Sequence, residues 1–233
     1  LDSLQSAVER GVDWVELDVT RTADDALVVC HNPTDPAGAW IVEQASADLW
    51  SRHGILRLAE VLDALPPEVG VDVDVKTVLE DAPRGTGGGT VALLRPVLAR
   101  EVRRRPLLAT SFDVAALLWL RDHVPGLALG SIAWVDFPLR MAVTATAHLG
   151  LDVVCVHHRS FGPNPVEIGP VHRQPAYSVD VAHDARLEVV AWCPPADAIG
   201  ILVSAGVDAV CLNDVPATLP IVDAAKEFAS RGH

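Results

Sequence analysis

Apolar and polar residues alternate in the short stretch VELDV, residues 15–19, where Glu16 and Asp18 occupy the polar positions. A period of two predicts a β-strand with one apolar face, so both carboxylates should project from the opposite face. The stretch VDVDVK, residues 71–76, shows the same alternation. It predicts a second strand whose polar face carries two aspartates and a lysine.

Val-rich stretches of this kind are separated along the chain by stretches with helical periodicity. Strands are expected at residues 13–19, 70–76, 106–112, 127–134, 151–158, 187–193 and 208–214. Helices are expected at residues 2–10, 58–65, 90–104, 113–123, 138–149, 179–186, 196–205 and 216–230. This alternation predicts an α/β fold with a parallel sheet that is covered on both faces.

The number of elements favours one α/β architecture. A TIM (β/α)8 barrel has eight strands and eight helices in about 250 residues, whereas this chain of 233 residues opens on a helix and has seven strand candidates. We therefore expect residues 1–233 to form a single barrel domain whose first strand lies upstream of Leu1. An open doubly wound sheet is the alternative, but the segment after Asp18 lacks the glycine fingerprint that this fold predicts.

The charge and composition of the chain argue against some classes of binding partner. The formal net charge of −13 argues against nucleic acid and anionic lipid surfaces, which such a protein repels. No apolar stretch reaches the ~18 residues that would cross a bilayer, so stable membrane insertion is not expected. The four cysteines lie far apart without a C-x-x-C pair, which predicts free thiols and a reducing, cytoplasmic compartment.

The polar strand faces carry the candidate chemistry. In a parallel barrel the active site lies at the carboxyl ends of the strands, where Glu16, Asp18, Asp74 and Lys76 should meet. Crowded carboxylates repel one another and take up protons unless a positive charge neutralises them. A divalent cation such as Mg²⁺ or Ca²⁺, which prefers oxygen ligands, could supply that charge. Salt bridges from Lys76 or Arg21 could also do so.

Two histidines follow apolar runs and are further candidates. His31 suits proton transfer near neutral pH, although a histidine at this position could also be a hydrogen-bonded structural residue. His157, His158 and Arg159 close a strand candidate and could add positive charge for a phosphate group. Because strand residues alternate, one of the two histidines could instead simply point away from the site, and the substrate role is expected of His158 or Arg159. The glycine-rich segment at residues 84–90 lacks the Lys-Ser/Thr ending of a P-loop, and we expect an active-site loop there.

Taken in order, these motifs resemble the glycerophosphodiester phosphodiesterase family. The stretch ELDVTRTADDALVVCHN, residues 16–32, matches the family pattern E-x-D-V-x-x-T-x-D-x-x-x-V-V-x-H-[DN]. Further matches follow at ILRLAEVLDAL (55–65), VDVDVKT (71–77), SFD (111–113), V-x-x-W (189–192) and GVDAVCLNDVP (206–216). The resemblance covers nearly the whole chain.

The resemblance implies a metal-dependent enzyme that hydrolyses glycerophosphodiesters to an alcohol and glycerol phosphate. Glu16, Asp18 and Asp74 would bind the divalent cation, with Asp74 standing where the family usually has glutamate. Lys76 would contact the phosphate and stabilise the charge that develops on it. His31 would be one of the family's two acid/base histidines.

Other residues would contact the small-molecule substrate. The resemblance implies that Trp192 forms an apolar wall against the alcohol group, with Phe112 as a weaker candidate for the same role. His158 is the further substrate-binding candidate named above. The segment WCPP, residues 192–195, departs from the family's Trp-Thr-Val-Asn, and its two prolines remove backbone donors, so substrate preference could differ.

The other departure concerns the family's first strand. Its His-Arg-Gly segment, which carries the second histidine, is expected upstream of Leu1.

A barrel without that segment would bind phosphodiesters but not cleave them, which is one alternative function. The other is phospholipase D-like cleavage of a lysophospholipid or sphingolipid headgroup, since those relatives share D-x-K-T at residues 74–77. They also tend to carry paired cysteines in the loop after the second histidine, and the loop after His31 contains no such pair. The headgroup, the metal and the oligomeric state stay open.

Overall fold

The computed structural model of the protein describes residues 1–162 and 173–231. These residues cluster into two compact units, Leu1–Leu129 and Gly130–His233. Strands and helices alternate in both units. Among the described helices, none is long and apolar enough to cross a membrane.

The first unit contains three parallel strands, one antiparallel strand and five helices. In chain order they are α1 (Asp2–Glu9), β1 (Trp14–Arg21), β2 (Leu27–Val29), α2 (Ser46–His53), α3 (Leu58–Ala64), β3 (Gly70–Val75), α4 (Thr90–Glu101), β4 (Leu107–Ser111) and α5 (Val114–His123). Short 3₁₀ turns lie at Ile41–Glu43 and Leu79–Arg84.

The sheet of the first unit has the order β2-β1-β3-β4. Strand β1 pairs in parallel with β3, which places Glu16 opposite Asp72 and Asp18 opposite Asp74. The alternate valines of β3 are almost fully buried. Their burial fixes the register, because a slip of one residue would turn the apolar face outward.

The second unit continues the alternation. Strand β5 (Ala128–Ile132) begins just before the boundary and is followed by α6 (Leu139–Leu149), β6 (Val153–His157), a 3₁₀ turn (His158–Phe161), α7 (Pro175–Asp184), β7 (Glu188–Trp192), α8 (Ala196–Ser204), β8 (Ala209–Cys211) and α9 (Val215–Arg231). Strands β5 to β8 are parallel neighbours in sequence order. Buried valines of β6 and β7 pack against apolar residues of α6, α7 and α8 in one core cluster.

These elements confirm the predicted α/β class and all seven predicted parallel strands. Within each unit the parallel strands are neighbours in sequence order, as in a (β/α)8 barrel and unlike the doubly wound alternative. Strand β2 and helix α2 were not predicted. Strand β2 is only three residues long and pairs antiparallel with the end of β1.

A buried ionic cluster joins helix α4 to helix α3. The carboxylate of Glu101 is fully buried and accepts hydrogen bonds from Arg100 Nε, Arg104 Nη1 and Arg105 Nε at 2.7, 2.9 and 2.8 Å. The buried Arg105 guanidinium also donates to the carbonyl oxygen of Leu62, at 2.9 Å. The three arginines therefore neutralise a charge that could not otherwise be buried at this position.

Candidate active site

Three carboxylates converge on the neighbouring strands β1 and β3. Glu16 and Asp18 lie on β1 and Asp74 lies on β3, and one oxygen from each side chain lies within 4.8 Å of the other two. The parallel register that pairs Asp18 with Asp74 brings them together. The structure thus places the three predicted metal ligands in one cluster.

The environment of this cluster disfavours negative charge. Burial raises the pKa of Glu16 to about 8, with repulsion from Asp18, Asp72 and Asp74 adding to the shift. Burial likewise raises the pKa of Asp74, despite the neighbouring Lys76. Within the described residues, the buried Oδ1 of Asp74 has no hydrogen-bond partner. A further positive charge in this cluster would therefore be favourable, and Asp74 Oδ1 could accept a bond from it.

Lys76 follows β3 and lies against this cluster. Its Nζ contacts Asp18 Oδ1 at 2.9 Å and also contacts Asp74 Oδ2. Burial acts to lower the pKa of Lys76, but the hydrogen bonds and charges of Asp74 and Asp18 outweigh burial and raise it. The ring of Phe112 also lies near the Lys76 ammonium, with its centroid 5.6 Å from Nζ. This contact places Phe112 beside Lys76.

Lys76 and Arg21 were the two residues expected to neutralise the acidic cluster by salt bridges. Lys76 forms such salt bridges, whereas Arg21 pairs with other carboxylates. Arg21 ends β1, is only 2 % exposed, and directs its guanidinium to Asp81 and Asp25. One lysine thus faces the cluster, where Asp72 is a fourth acidic group whose pKa burial raises to about 7. With this one ammonium in place, the pKa values of Glu16 and Asp72 are still raised, so the cluster still disfavours negative charge.

His31 follows β2 with its imidazole exposed. Its Nδ1 lies 3.2 Å from Asn32 Oδ1. A proton on Nδ1 would be donated to this amide oxygen, which would leave Nε2 free to accept a proton. Burial is the main cause of the raised pKa of Asp74, and the charge of His31 acts in the opposite direction.

In the second unit, aromatic rings cluster at the ends of β6 and β7. Trp192 ends β7 and is the register partner of His157, whose ring centroid lies 4.4 Å from that of the indole. His158 lies in the following 3₁₀ turn with its ring 4.2 Å from His157. Burial lowers the pKa of both histidines. Among the described residues, the buried Trp192 Nε1 has no hydrogen-bond partner.

The sequence analysis gave the substrate-binding role to His158 rather than to His157, although His157 is the residue that faces Trp192. Its Nδ1 accepts a hydrogen bond from the Arg159 backbone N–H at 3.3 Å, and Arg159 is in turn bound to Asp136 at 2.7 Å. Its position opposite Trp192 depends on β6 ending at His157, because His158 already belongs to the turn.

The glycine-rich segment near residues 84–90 is anchored by Asp81. Asp81 accepts hydrogen bonds from Arg21 Nε at 2.7 Å, Thr90 Oγ1 at 2.6 Å and Thr90 N at 3.0 Å. A Cβ atom at Gly89 would come within 2.7 Å of Asp81 Cγ, so only glycine permits this approach. The sequence predicted a loop here but not its buried anchor.

Comparison with known proteins gives the fold and the family. A (β/α)8-type fold is shared with a protein described as a glycerophosphoryl diester phosphodiesterase from Silicibacter pomeroyi (20 % identity, TM-score 0.77, 96 % of this chain and 88 % of that chain). It is also shared with an Oleispira antarctica phosphodiesterase solved with the product sn-glycerol-3-phosphate (20 %, 0.76, 95 % and 90 %). A third is the Thermotoga maritima glycerophosphodiester phosphodiesterase (17 %, 0.71, 94 % and 90 %).

These identities are low and establish the fold alone. No curated protein sequence matches the chain significantly. A family model supplies the stronger result, because the model of the glycerophosphoryl diester phosphodiesterase family matches residues 1–217, which is most of the chain. The protein therefore belongs to the glycerophosphoryl diester phosphodiesterase family of hydrolases.

Proposed function

We propose that the protein hydrolyses glycerophosphodiesters to an alcohol and glycerol phosphate, with a divalent cation held by Glu16, Asp18 and Asp74. The observation that carries this proposal is the convergence of the three carboxylates beside Lys76. Membership of the family supports the reaction class. The Oleispira antarctica relative, solved with sn-glycerol-3-phosphate as product, supports the substrate class.

The donor set fits a hard divalent cation, Mg²⁺ or Ca²⁺, because it consists of carboxylate oxygens alone. The raised pKa values of Glu16 and Asp74, together with the unpartnered Asp74 Oδ1 among the described residues, support a site that needs positive charge. When bound, such a cation acts as a Lewis acid that polarises a phosphoryl oxygen.

The remaining roles belong to side chains of the protein. Lys76 binds a phosphoryl oxygen and stabilises the negative charge that grows in the transition state. His31 exchanges a proton through Nε2 while Asn32 orients its ring. Trp192 and His158 contact the organic part of the substrate, and Phe112 contributes there while packing against Lys76.

We further propose that residues 1–233 work as one domain on a small-molecule substrate. The family model supports this reading, because it spans residues 1–217 and so includes residues of both compact units. The net charge of −13 supports a small phosphodiester over nucleic acid, which carries a dense negative charge of its own.

Incubation with glycerophosphocholine tests the proposal directly. With Mg²⁺ or Ca²⁺ present, we expect the release of choline and glycerol phosphate in equal amounts, and a chelator should stop it. Release of neither product with either cation would contradict the proposal. Binding of glycerophosphocholine without release would instead identify a binding module, and cleavage restricted to lysophospholipids or sphingolipids would favour the phospholipase D-like alternative.

Added cation should also raise the thermal stability of the protein. A ligand that binds only the folded state at 100 times its Kd stabilises by about 2.7 kcal/mol. For a chain of this length, that corresponds to a Tm increase of roughly 5 to 11 °C. Differential scanning calorimetry with and without Mg²⁺ or Ca²⁺ measures this shift. The Glu16→Gln variant should lose most of it, and an equal shift in that variant would place the cation elsewhere.

A further inference from the structure

A buried carboxylate lies in the loop that follows His31. Asp35 is only 6 % exposed, although most of the loop at residues 33–40 is exposed to solvent. None of the roles proposed above uses this residue. Burying a charge costs free energy unless the charge is paired and hydrogen-bonded, so the loop has to supply partners for Asp35.

Both oxygens of Asp35 have such partners in the first unit. Oδ1 accepts hydrogen bonds from Ala37 N at 2.8 Å and from Ala39 N at 3.0 Å. Oδ2 accepts one from Gln44 Nε2 at 3.0 Å and lies 3.2 Å from Nε2 of His53, the last residue of α2. The bond from Ala39 is the largest of the causes that lower the pKa of Asp35. The carboxylate therefore ties the loop to α2.

The backbone of the loop pairs on either side of Asp35. Asp35 N donates to the carbonyl oxygen of Ala39 at 2.8 Å, and Ile41 N donates to that of Pro33 at 2.9 Å. Ile41 is 1 % exposed and packs in one apolar cluster with Val28 of β2. The chain is thus fixed at Pro33, two residues after the histidine.

The chain before His31 is fixed as well. Cys30 N donates to the carbonyl oxygen of Asp18 at 2.9 Å, and Cys30 Sγ donates to that of Asn32 at 3.3 Å. Asp18 is one of the three clustered carboxylates. His31 therefore lies between an anchor on β1 and the anchor at Pro33. Because its imidazole is exposed, the position of the ring depends chiefly on the backbone that carries it.

We propose that Asp35 is a positioning residue for the reaction and holds His31 in place through the loop at residues 33–40. The inference rests on the proposed function, because it takes His31 as the group that exchanges a proton with the substrate. Protein donors engage both oxygens of Asp35, so this residue acts through His31 and not on the substrate.

The Asp35→Asn variant tests this inference. An amide keeps one oxygen for the backbone donors of the loop, but its NH₂ group cannot accept a bond from Gln44 or His53. We expect kcat for glycerophosphocholine to fall roughly 10- to 100-fold, because a displacement of about 1 Å can cost about 100-fold in rate. KM should stay unchanged, since an interaction made only in the transition state affects kcat and kcat/KM equally. Steady-state kinetics measures both constants.

The same substitution in a His31→Gln background separates positioning from a general structural effect. If Asp35 acts through His31, Asp35→Asn should change kcat less than about twofold in that background, because residues that act as a unit are not additive. A further loss of the size seen in the unmodified background contradicts the inference. Unchanged kcat in Asp35→Asn alone contradicts it too.

Asp208→Asn is the matched control. Asp208 likewise accepts a hydrogen bond from a backbone amide, that of Val189 at 2.7 Å, and lies 2.9 Å from Nε2 of His183. It belongs to the second unit and directly precedes β8, at the amino end of that strand. Its replacement should leave kcat unchanged, and a loss equal to that of Asp35→Asn would overturn the inference.

Failure of the proposed function gives a different result, because the unmodified protein would then release neither choline nor glycerol phosphate. Backbone NMR order parameters of His31 and Asn32 still test the inference. They should be near 0.85 in the unmodified protein and in Asp208→Asn, as in rigid backbone, and should fall toward about 0.6 in Asp35→Asn. Equal order parameters in all three proteins would show that Asp35 does not position His31.

Discussion

Replacing Glu16 by Gln and Asp18 by Asn together is expected to lower kcat/KM for glycerophosphocholine about 1,000-fold. A bound metal contributes several kcal/mol to transition-state stabilisation, and each 1.36 kcal/mol corresponds to a factor of ten in rate. The double variant removes two of the three carboxylates that converge with Asp74. Steady-state kinetics over a series of Mg²⁺ and Ca²⁺ concentrations measures the effect.

Asp72→Asn provides the matched control for this experiment. Asp72 lies opposite Glu16 in the sheet and accepts a hydrogen bond from Thr110 at 2.9 Å, but it is not one of the three clustered ligands. Its replacement should change kcat/KM less than tenfold. The double variant should fold normally, because neutral side chains relieve the repulsion that raises the pKa of Glu16. A folded double variant with undiminished activity would rule out the metal site.

The Asp81→Leu variant should lose about 3 to 5 kcal/mol of folding free energy. Removing one partner of a buried ion pair is strongly destabilising, and here the buried Arg21 guanidinium would keep its longer contact to Asp25, at 3.6 Å. Arg21 is 2 % exposed and pairs with Asp81 at 2.7 Å. At 2 to 4 °C per kcal/mol for a chain of this size, the Tm should fall by roughly 6 to 20 °C. Thermal unfolding followed by circular dichroism measures the change.

The double variant Arg21→Met/Asp81→Leu should recover part of this loss, because replacing both partners of a buried pair by apolar groups is often nearly neutral. Arg84→Met serves as the control. Arg84 bonds Asp25 at 2.8 Å on the surface of the same region, and an exposed pair contributes about 1 kcal/mol or less. Equal losses in the Arg84 and Asp81 variants would show that the burial of Arg21 is unimportant.

The alternation of apolar and acidic residues was sufficient to predict the strands and the acidic cluster. In β1 and β3 the apolar residues at alternate positions are buried, and this period identifies the other face as the one that carries the acids. Because parallel strands align at their carboxyl ends, Asp18 and Asp74 had to be neighbours once both strands were recognised. The family motifs added the roles that we propose for Lys76 and His31, which the alternation of residues does not predict.

The missed features depend on contacts between distant or very short segments. Arg21 and Asp81 are 60 residues apart, and no local pattern links them. Strand β2 has too few residues to show a period, and its pairing with β1 stabilises it. Helix α2 has a weakly apolar sequence, and its Leu49 packs against Val28 and Ile41. The position of His157 opposite Trp192 depends on where β6 ends, which is the least certain part of a sequence-based prediction.

The buried ionic cluster around Glu101 also determines which segments of the first unit unfold together. Fraying of the last turn of α4 would expose a carboxylate whose three arginine partners lie within four residues of it. Arg105 would at the same time release the carbonyl group at the end of α3. Local opening of either helix end therefore disrupts the other, which is the condition for two segments to unfold as one cooperative unit. We therefore expect helices α3 and α4 to behave as a single foldon.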